Sequence, residues 1–343
     1  MHQPPHATGI GSLPGTDTRA AHRLVFDELP DFPHLPELPG RGVGADMIGR
    51  GATFLTEMYA EVQPSGWRLA DRPGRDARRA RSFMREDLDF LEEHSQGYTG
   101  KLKIQAAGPW TLAATIELHY GDKILADRGA TRELAESLTD GLAQHVAELR
   151  RRLPGAEIVL QLDEPSLPGV LRGTIPSASG FARLWSVKET VARETLKQLI
   201  ETIGVETVIH CCAPVFTVGG EEQSTFEVMR AAGASYVSFD ASTIDVGDRR
   251  TDELLGEAIE AGARLMLGVV PAMDPETPQA VPKVGDLVKK VLTLGRLGFS
   301  PARIAEGLTI TPTCGLAGAT PPWARQALIL AHRTADALAQ EAS

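Results

Sequence analysis

Ile158-Val-Leu-Gln-Leu-Asp163, closed at once by Glu164 and Pro165, is an apolar run too short for a helix that ends on two carboxylates. The same plan recurs along the chain. Ala7–Gly11, Leu102–Ala107, Thr207–Cys212, Tyr236–Asp240, Leu265–Val270 and Leu308–Thr313 read as strands, with a weaker one near Gly42–Met47. Between them lie segments whose apolar residues return every three or four positions. Examples are Leu134, Leu138, Leu142, Val146 and Leu149; Val187, Val191, Leu196, Ile200 and Ile203; and Val284, Leu287, Val288, Val291 and Leu292. That spacing lays one apolar stripe along each helix, to be buried against a sheet. Continuous apolar strands alternating with such helices predict a parallel sheet covered on both faces. Seven clear strands and one weak one predict an α/β fold of the single (β/α)8 TIM-barrel type, one domain over residues 1–343. A doubly wound open sheet is the alternative on pattern alone. Both architectures place ligands at the C-terminal ends of strands.

Composition narrows the function. The 343 residues suffice for one large barrel, and 42% hydrophobic with 23% charged residues is ordinary for a soluble globular chain. Lys plus Arg number 35 against 45 Asp plus Glu, a net charge of −10, which speaks against a general nucleic-acid partner. No apolar run approaches the roughly 18 residues of a membrane span. The opening Met1–Ser12 has neither the basic nor the apolar region of a secretory leader. The three cysteines, two of them adjacent, form no disulfide framework, so the expected location is cytoplasmic. The proline-rich Leu29–Gly40 reads as an extended surface segment. Six arginines within Arg72–Arg85 read either as a solvated helix face or as a patch attracting an anionic ligand tail. The glycine-dense Gly40–Gly51 does not fit G-x-G-x-x-G, and no P-loop, G-x-S-x-G elbow or H-E-x-x-H helix occurs.

The chemistry therefore has to come from the strand ends, where all three cysteines fall. Side chains alternate along a strand, so His210 and Cys212 share a face while Cys211 points away. On a barrel, Cys314 reaches the same rim. An imidazole and two thiolates suit zinc, and three protein ligands leave one position for a substrate, as in catalytic rather than structural sites. Asp240 is a candidate fourth, displaceable ligand; its plain reading is a solvated carboxylate. For the cysteines the plain reading is a packed core thiol. Zinc with two thiolates and a neutral imidazole is formally neutral. A thiol coordinated there loses its proton yet stays nucleophilic, which suits alkylation of sulfur. Asp163 and Glu164 are placed to receive a substrate ammonium, or form an ordinary polar loop. Ile10, Gly11 and Ser12 present backbone N–H groups and a hydroxyl to a carboxylate, or form a tight turn.

Taken in order, Thr8-Gly-Ile-Gly-Ser-Leu-Pro14, Gly108-Pro109, Gln161-Leu-Asp-Glu-Pro165, His210-Cys-Cys212, Val237-Ser-Phe-Asp240 and Thr313-Cys-Gly-Leu316 resemble the catalytic C-terminal half of cobalamin-independent methionine synthase, a zinc-containing (β/α)8 barrel. The resemblance implies that His210, Cys212 and Cys314 hold zinc and that Asp240 stands where the family has a glutamate ligand. It implies that Ile10, Gly11 and Ser12 hold the homocysteine backbone and that Asp163 is the catalytic-site carboxylate meeting its amino group. The family reaction moves a methyl group from methyltetrahydrofolate to homocysteine.

Departures from the family cluster on the donor side. Gly40-Arg-Gly-Val-Gly-Ala-Asp46 replaces a Glu-rich segment, and the folate-associated tryptophan aligns with Thr115, with Trp110 nearby. The Arg-Cys pair beside the folate is missing. The histidine that protonates the folate leaving group falls on Met273, whose thioether has no proton to give. A methylated corrinoid, free or carried by a partner protein, needs no such acid. The expectation is thus a zinc-dependent methyltransferase acting on the homocysteine thiol, with methyltetrahydrofolate or a methylcorrinoid as donor. The alternatives are a uroporphyrinogen-decarboxylase-like barrel without metal, or a degenerate barrel that only binds zinc and a thiol.

Overall fold

The computed structural model describes residues 5–216, 224–245 and 247–342; the first four residues of the opening segment read for a leader lie outside them. Nine strands occur among the described residues: β1 (His6–Ala7), β2 (Tyr59–Gln63), β3 (Gly66–Ala70), β4 (Lys101–Ala107), β5 (Glu157–Asp163), β6 (Glu206–Cys211), β7 (Tyr236–Asp240), β8 (Arg264–Val270) and β9 (Thr309–Pro312). Seven form one curled sheet in the order β1-β9-β8-β7-β6-β5-β4, every pair parallel. The seven clear apolar runs of the sequence are these seven strands. The antiparallel hairpin β2-β3 has no counterpart in the sequence reading.

The weak strand expected near Gly42–Met47 does not form. Gly42 and Gly44 have φ of 97° and 90°, a left-handed conformation that no ladder tolerates. The chain instead makes a 3-10 turn at Pro39–Arg41 and a short helix at Met47–Ala52, capped by the Asp46 side chain. The gap between the sheet's two edges is taken by residues 33–38, in the segment expected to lie on the surface. Leu35 N donates to Lys103 O (2.8 Å) and Lys103 N to Pro33 O (3.0 Å), which ties this segment to β4. Glu37 N donates to Gly11 O (3.1 Å) and Leu13 N to Glu37 O (2.8 Å), which ties it to the chain after β1. Phe32, Leu35 and Leu38 are accordingly buried.

Alternation along the strands sorts the side chains into two environments. Leu160, Leu162, Ile209, Phe239, Leu267 and Ile310 join the main core under the helices. The opposite, concave face holds a small separate cluster of Phe32, Val159, Val208, Tyr236 and Met266. Above it the concave face turns polar, with Lys103, Gln105, Gln161, Asp163, His210, Ser238 and Thr311 all buried. The helix stripes pack as expected, except that Val191 is exposed. The arginine run enters helix Arg75–His94, where Arg75, Arg78, Arg81 and Arg85 are exposed as on a solvated face. Among the described residues no helix is long and apolar enough to cross a membrane.

Candidate functional site

Strand register brings the site together. Asp163 on β5 is in register with His210 on β6, and His210 with Ser238 on β7, so all three lie side by side on the concave face. His210 Nδ1 lies 2.9 Å from Ser238 Oγ, while its buried Nε2 has no hydrogen-bond partner. Cys211 is wholly buried in the outer core, the opposite face from His210, as strand alternation requires. Cys212 and Cys314 share a hydrogen bond. That bond and the neighbouring His210 imidazole pull the Cys314 thiol down to about 4. The same bond, with burial, pushes Cys212 up. Of the two sulfurs, Cys314 is the one that gives up its proton more readily.

The turn Ile10–Ser12 abuts this pair. A Cβ on Gly315 would come within 2.1 Å of Ser12 Oγ, so the glycine after Cys314 is what lets the turn approach. The three carbonyls of the turn are all engaged. Ile10 O accepts from Lys103 Nζ (2.8 Å) and Gln161 Nε2 (2.9 Å); Gly11 O and Ser12 O accept from Glu37 N (3.1 Å) and Leu316 N (2.8 Å). Among the described residues neither the Gly11 nor the Ser12 amide donates a backbone hydrogen bond. A turn with its carbonyls tied back and its amides free is suited to an anionic group.

Asp163 lies beneath, buried, accepting from Gln161 Nε2 at 2.7 Å. Burial and the nearby Glu37 raise its carboxyl well above the usual range, against the pull of Lys103. Burial lowers Lys103 itself to about 7, with Asp163 and Glu37 opposing. An arriving ammonium would favour ionised Asp163.

Two expected residues make their hydrogen bonds to the scaffold. Both Glu164 oxygens are spent on helix Pro109–Thr115: Oε1 accepts from Trp110 N (3.0 Å), and Oε2 from Thr111 N and Oγ1 (2.7 Å each). Asp240 Oδ1 accepts from Ser242 N at 2.7 Å, capping its own turn. The residues that sequence reasoning missed are Lys103, Gln161, Glu37 and Ser238. A lysine and a glutamine inside apolar runs, where burial needs a partner, were the available signal.

For zinc, the donor set fits. The unpartnered Nε2 of His210 and two thiols in mutual contact are soft-to-borderline donors in one place. Among the described residues no three His, Cys, Asp or Glu side chains stand at metal-coordinating spacing, so zinc held by His210, Cys212 and Cys314 would require these side chains to draw together.

The family model described as cobalamin-independent synthase, catalytic domain, matches residues 95–337, a span holding Asp163, His210, Cys212, Asp240 and Cys314 but not the Ile10–Ser12 turn. Among solved structures, the chain is similar to a B12-independent methionine synthase from Shewanella sp. W3-18-1 in complex with selenomethionine. Identity is 15%, coverage 99% of each chain and the TM-score 0.62, a likeness of fold. A GH26 endo-β-1,4-mannanase catalytic domain from Bacillus sp. JAMB-750 is more distant, at 11% identity, 98% and 92% coverage and a TM-score of 0.45. No curated protein matches the sequence. With well over half of its length under one family model, the chain belongs to the cobalamin-independent methionine synthase catalytic-domain family and is a methyltransferase of that kind.

Proposed function

We propose that the protein methylates the thiol of homocysteine, using zinc held by His210, Cys212 and Cys314. The carrying observation is the meeting of three features: a thiol pair beside an unpartnered imidazole nitrogen, a turn with free amides, and a buried carboxylate. These match the sulfur, carboxylate and ammonium of one small amino acid. We further propose that the sheet is a (β/α)8 barrel whose eighth place is filled by residues 33–38, that residues 1–343 form one domain, and that it works in the cytoplasm.

Bound zinc would supply an electrophilic centre that acidifies a coordinated thiol. The chain's own residues do the rest. Ser238 fixes the His210 ring so that Nε2 faces the thiols. The Gly11 and Ser12 amides take the amino acid's carboxylate and Asp163 takes its ammonium, which sets the side chain's direction towards Cys212 and Cys314. Glu164 orients helix Pro109–Thr115 without touching substrate. Asp240 is an additional candidate ligand through Oδ2, its Oδ1 being held by Ser242 N. The substrate sulfur then forms a bond to the methyl carbon as the donor–methyl bond breaks, with the electron pair leaving on the donor.

The donor is decided by what that leaving group needs. Met273 is 58% exposed beside the rim and has no proton to supply. This favours a methylcorrinoid, free or on a partner protein, over methyltetrahydrofolate. The test is methionine formation from homocysteine by the purified protein with methylcobalamin and methyltetrahydrofolate side by side, together with X-ray absorption at the zinc edge. Methionine formation and one added sulfur ligand are expected. Zinc and homocysteine binding without methionine from either donor would instead identify a thiol-binding protein.

A further inference from the structure

Lys103 and Gln161 are wholly buried on the concave face, in the middle of β4 and β5, where apolar side chains would cost less. Their donors converge on one acceptor, the Ile10 carbonyl, at 2.8 and 2.9 Å. Gln161 spends its second N–H on Asp163 Oδ1 at 2.7 Å, so one amide joins the turn to the carboxylate. A peptide plane held at its carbonyl is held at its N–H as well: fixing Ile10 O fixes the direction of the Gly11 amide, since the two belong to the same peptide.

We propose that Lys103 and Gln161 are positioning residues that set the specificity of this site for an α-amino acid: from inside the sheet they orient the Gly11 amide towards a carboxylate and hold Asp163 at a fixed separation for the ammonium. The inference rests on the homocysteine reading above. The two residues divide the work. Lys103 hydrogen-bonds the turn and reaches Asp163 only through its charge, whereas Gln161 hydrogen-bonds both.

That division makes the test specific. Binding of homocysteine and of 3-aminopropane-1-thiol, which is homocysteine without its carboxylate, is measured by titration calorimetry on the full chain supplied with zinc. Lys103→Met should weaken homocysteine about tenfold to a hundredfold, the range for hydrogen bonds to charged groups, and change the carboxylate-free thiol far less. Gln161→Leu should weaken both. Bound zinc should be the same in both variants, and circular dichroism identifies any variant that fails to fold; Gln161→Leu then stands alone, with Lys103→Gln, which keeps an N–H donor, as the milder probe of the turn. Equal effects of Lys103→Met on the two thiols, or none on homocysteine, would overturn the proposal. Failure of the unmodified protein to bind either thiol would instead remove the homocysteine reading on which it rests.

Discussion

Ser238 Oγ stands 2.9 Å from His210 Nδ1, on the strand in register beside it. A ligating histidine depends on such a partner for its tautomer, because an Nδ1–H donated to oxygen leaves the Nε2 lone pair free. Ser238→Ala should lower zinc affinity about tenfold to a hundredfold in competition with a chelator. An unchanged affinity would mean that the ring is oriented by packing alone.

The three cysteines should separate cleanly. Cys212→Ala and Cys314→Ser should each remove most bound zinc, measured by elemental analysis. Cys211→Ala should keep the metal and cost about 1 kcal/mol of stability, since its thiol fills space in the outer core. Equal zinc loss in all three would contradict the strand alternation.

Glu164→Ala should act on the fold. It leaves the buried Trp110 and Thr111 amides without an acceptor, a loss of about 1–3 kcal/mol for each donor left unsatisfied. Denaturant unfolding should show it, while the KM for homocysteine changes little. A large KM effect at unchanged stability would return Glu164 to the substrate site.

Arg50 is buried with its Nε 3.2 Å from Glu37 Oε1 and Nη1 2.5 Å from Asp87 Oδ2. Arg50→Met should strand Glu37, leave Asp87 with Arg41 alone, and cost about 3–5 kcal/mol. Because Glu37 also binds the Gly11 carbonyl through its amide, homocysteine affinity should fall with stability.

Acid should destabilise the protein through its buried histidines. Burial lowers His22 to about 4 and His145 to about 3, and holds His34 well down. Between these values and the ordinary 6.5 the unfolded chain binds more protons than the folded one, so stability falls as pH drops below 6.5. Each such histidine contributes about 1.4 kcal/mol per pH unit. His145→Gln should therefore flatten the loss between pH 6.5 and 5 by about 2 kcal/mol, whatever it does to stability at pH 7. An unaltered slope would exclude His145 as a source.

The seven sheet strands were legible because each is a short apolar run set between helical patterns. His210, Cys212 and Cys314 were legible from alternation and from the rarity of cysteine in the chain. The segment between the sheet's edges was not, for a physical reason: Pro33 and Pro36 lack an N–H, which argues against a strand in any sequence pattern, yet this segment needs only its Leu35 and Glu37 amides to bond in two directions. The roles of Glu164 and Asp240 were hidden too, since a carboxylate after a strand looks alike whether it meets a ligand or a helix end. Lys103 and Gln161 were passed over as interruptions of apolar runs because nothing local shows that the Ile10 carbonyl will arrive between them.

Those four backbone bonds around residues 33–38 also give the molecule a weakest stave. Thermal breathing should begin there, where the stitching is sparsest, and one side of that stave is laced to the very loop that would grip an amino acid. An occupant of that loop would draw the stave shut. Saturation with homocysteine should thus be felt as slower amide exchange at Leu35 and Glu37, well away from sulfur.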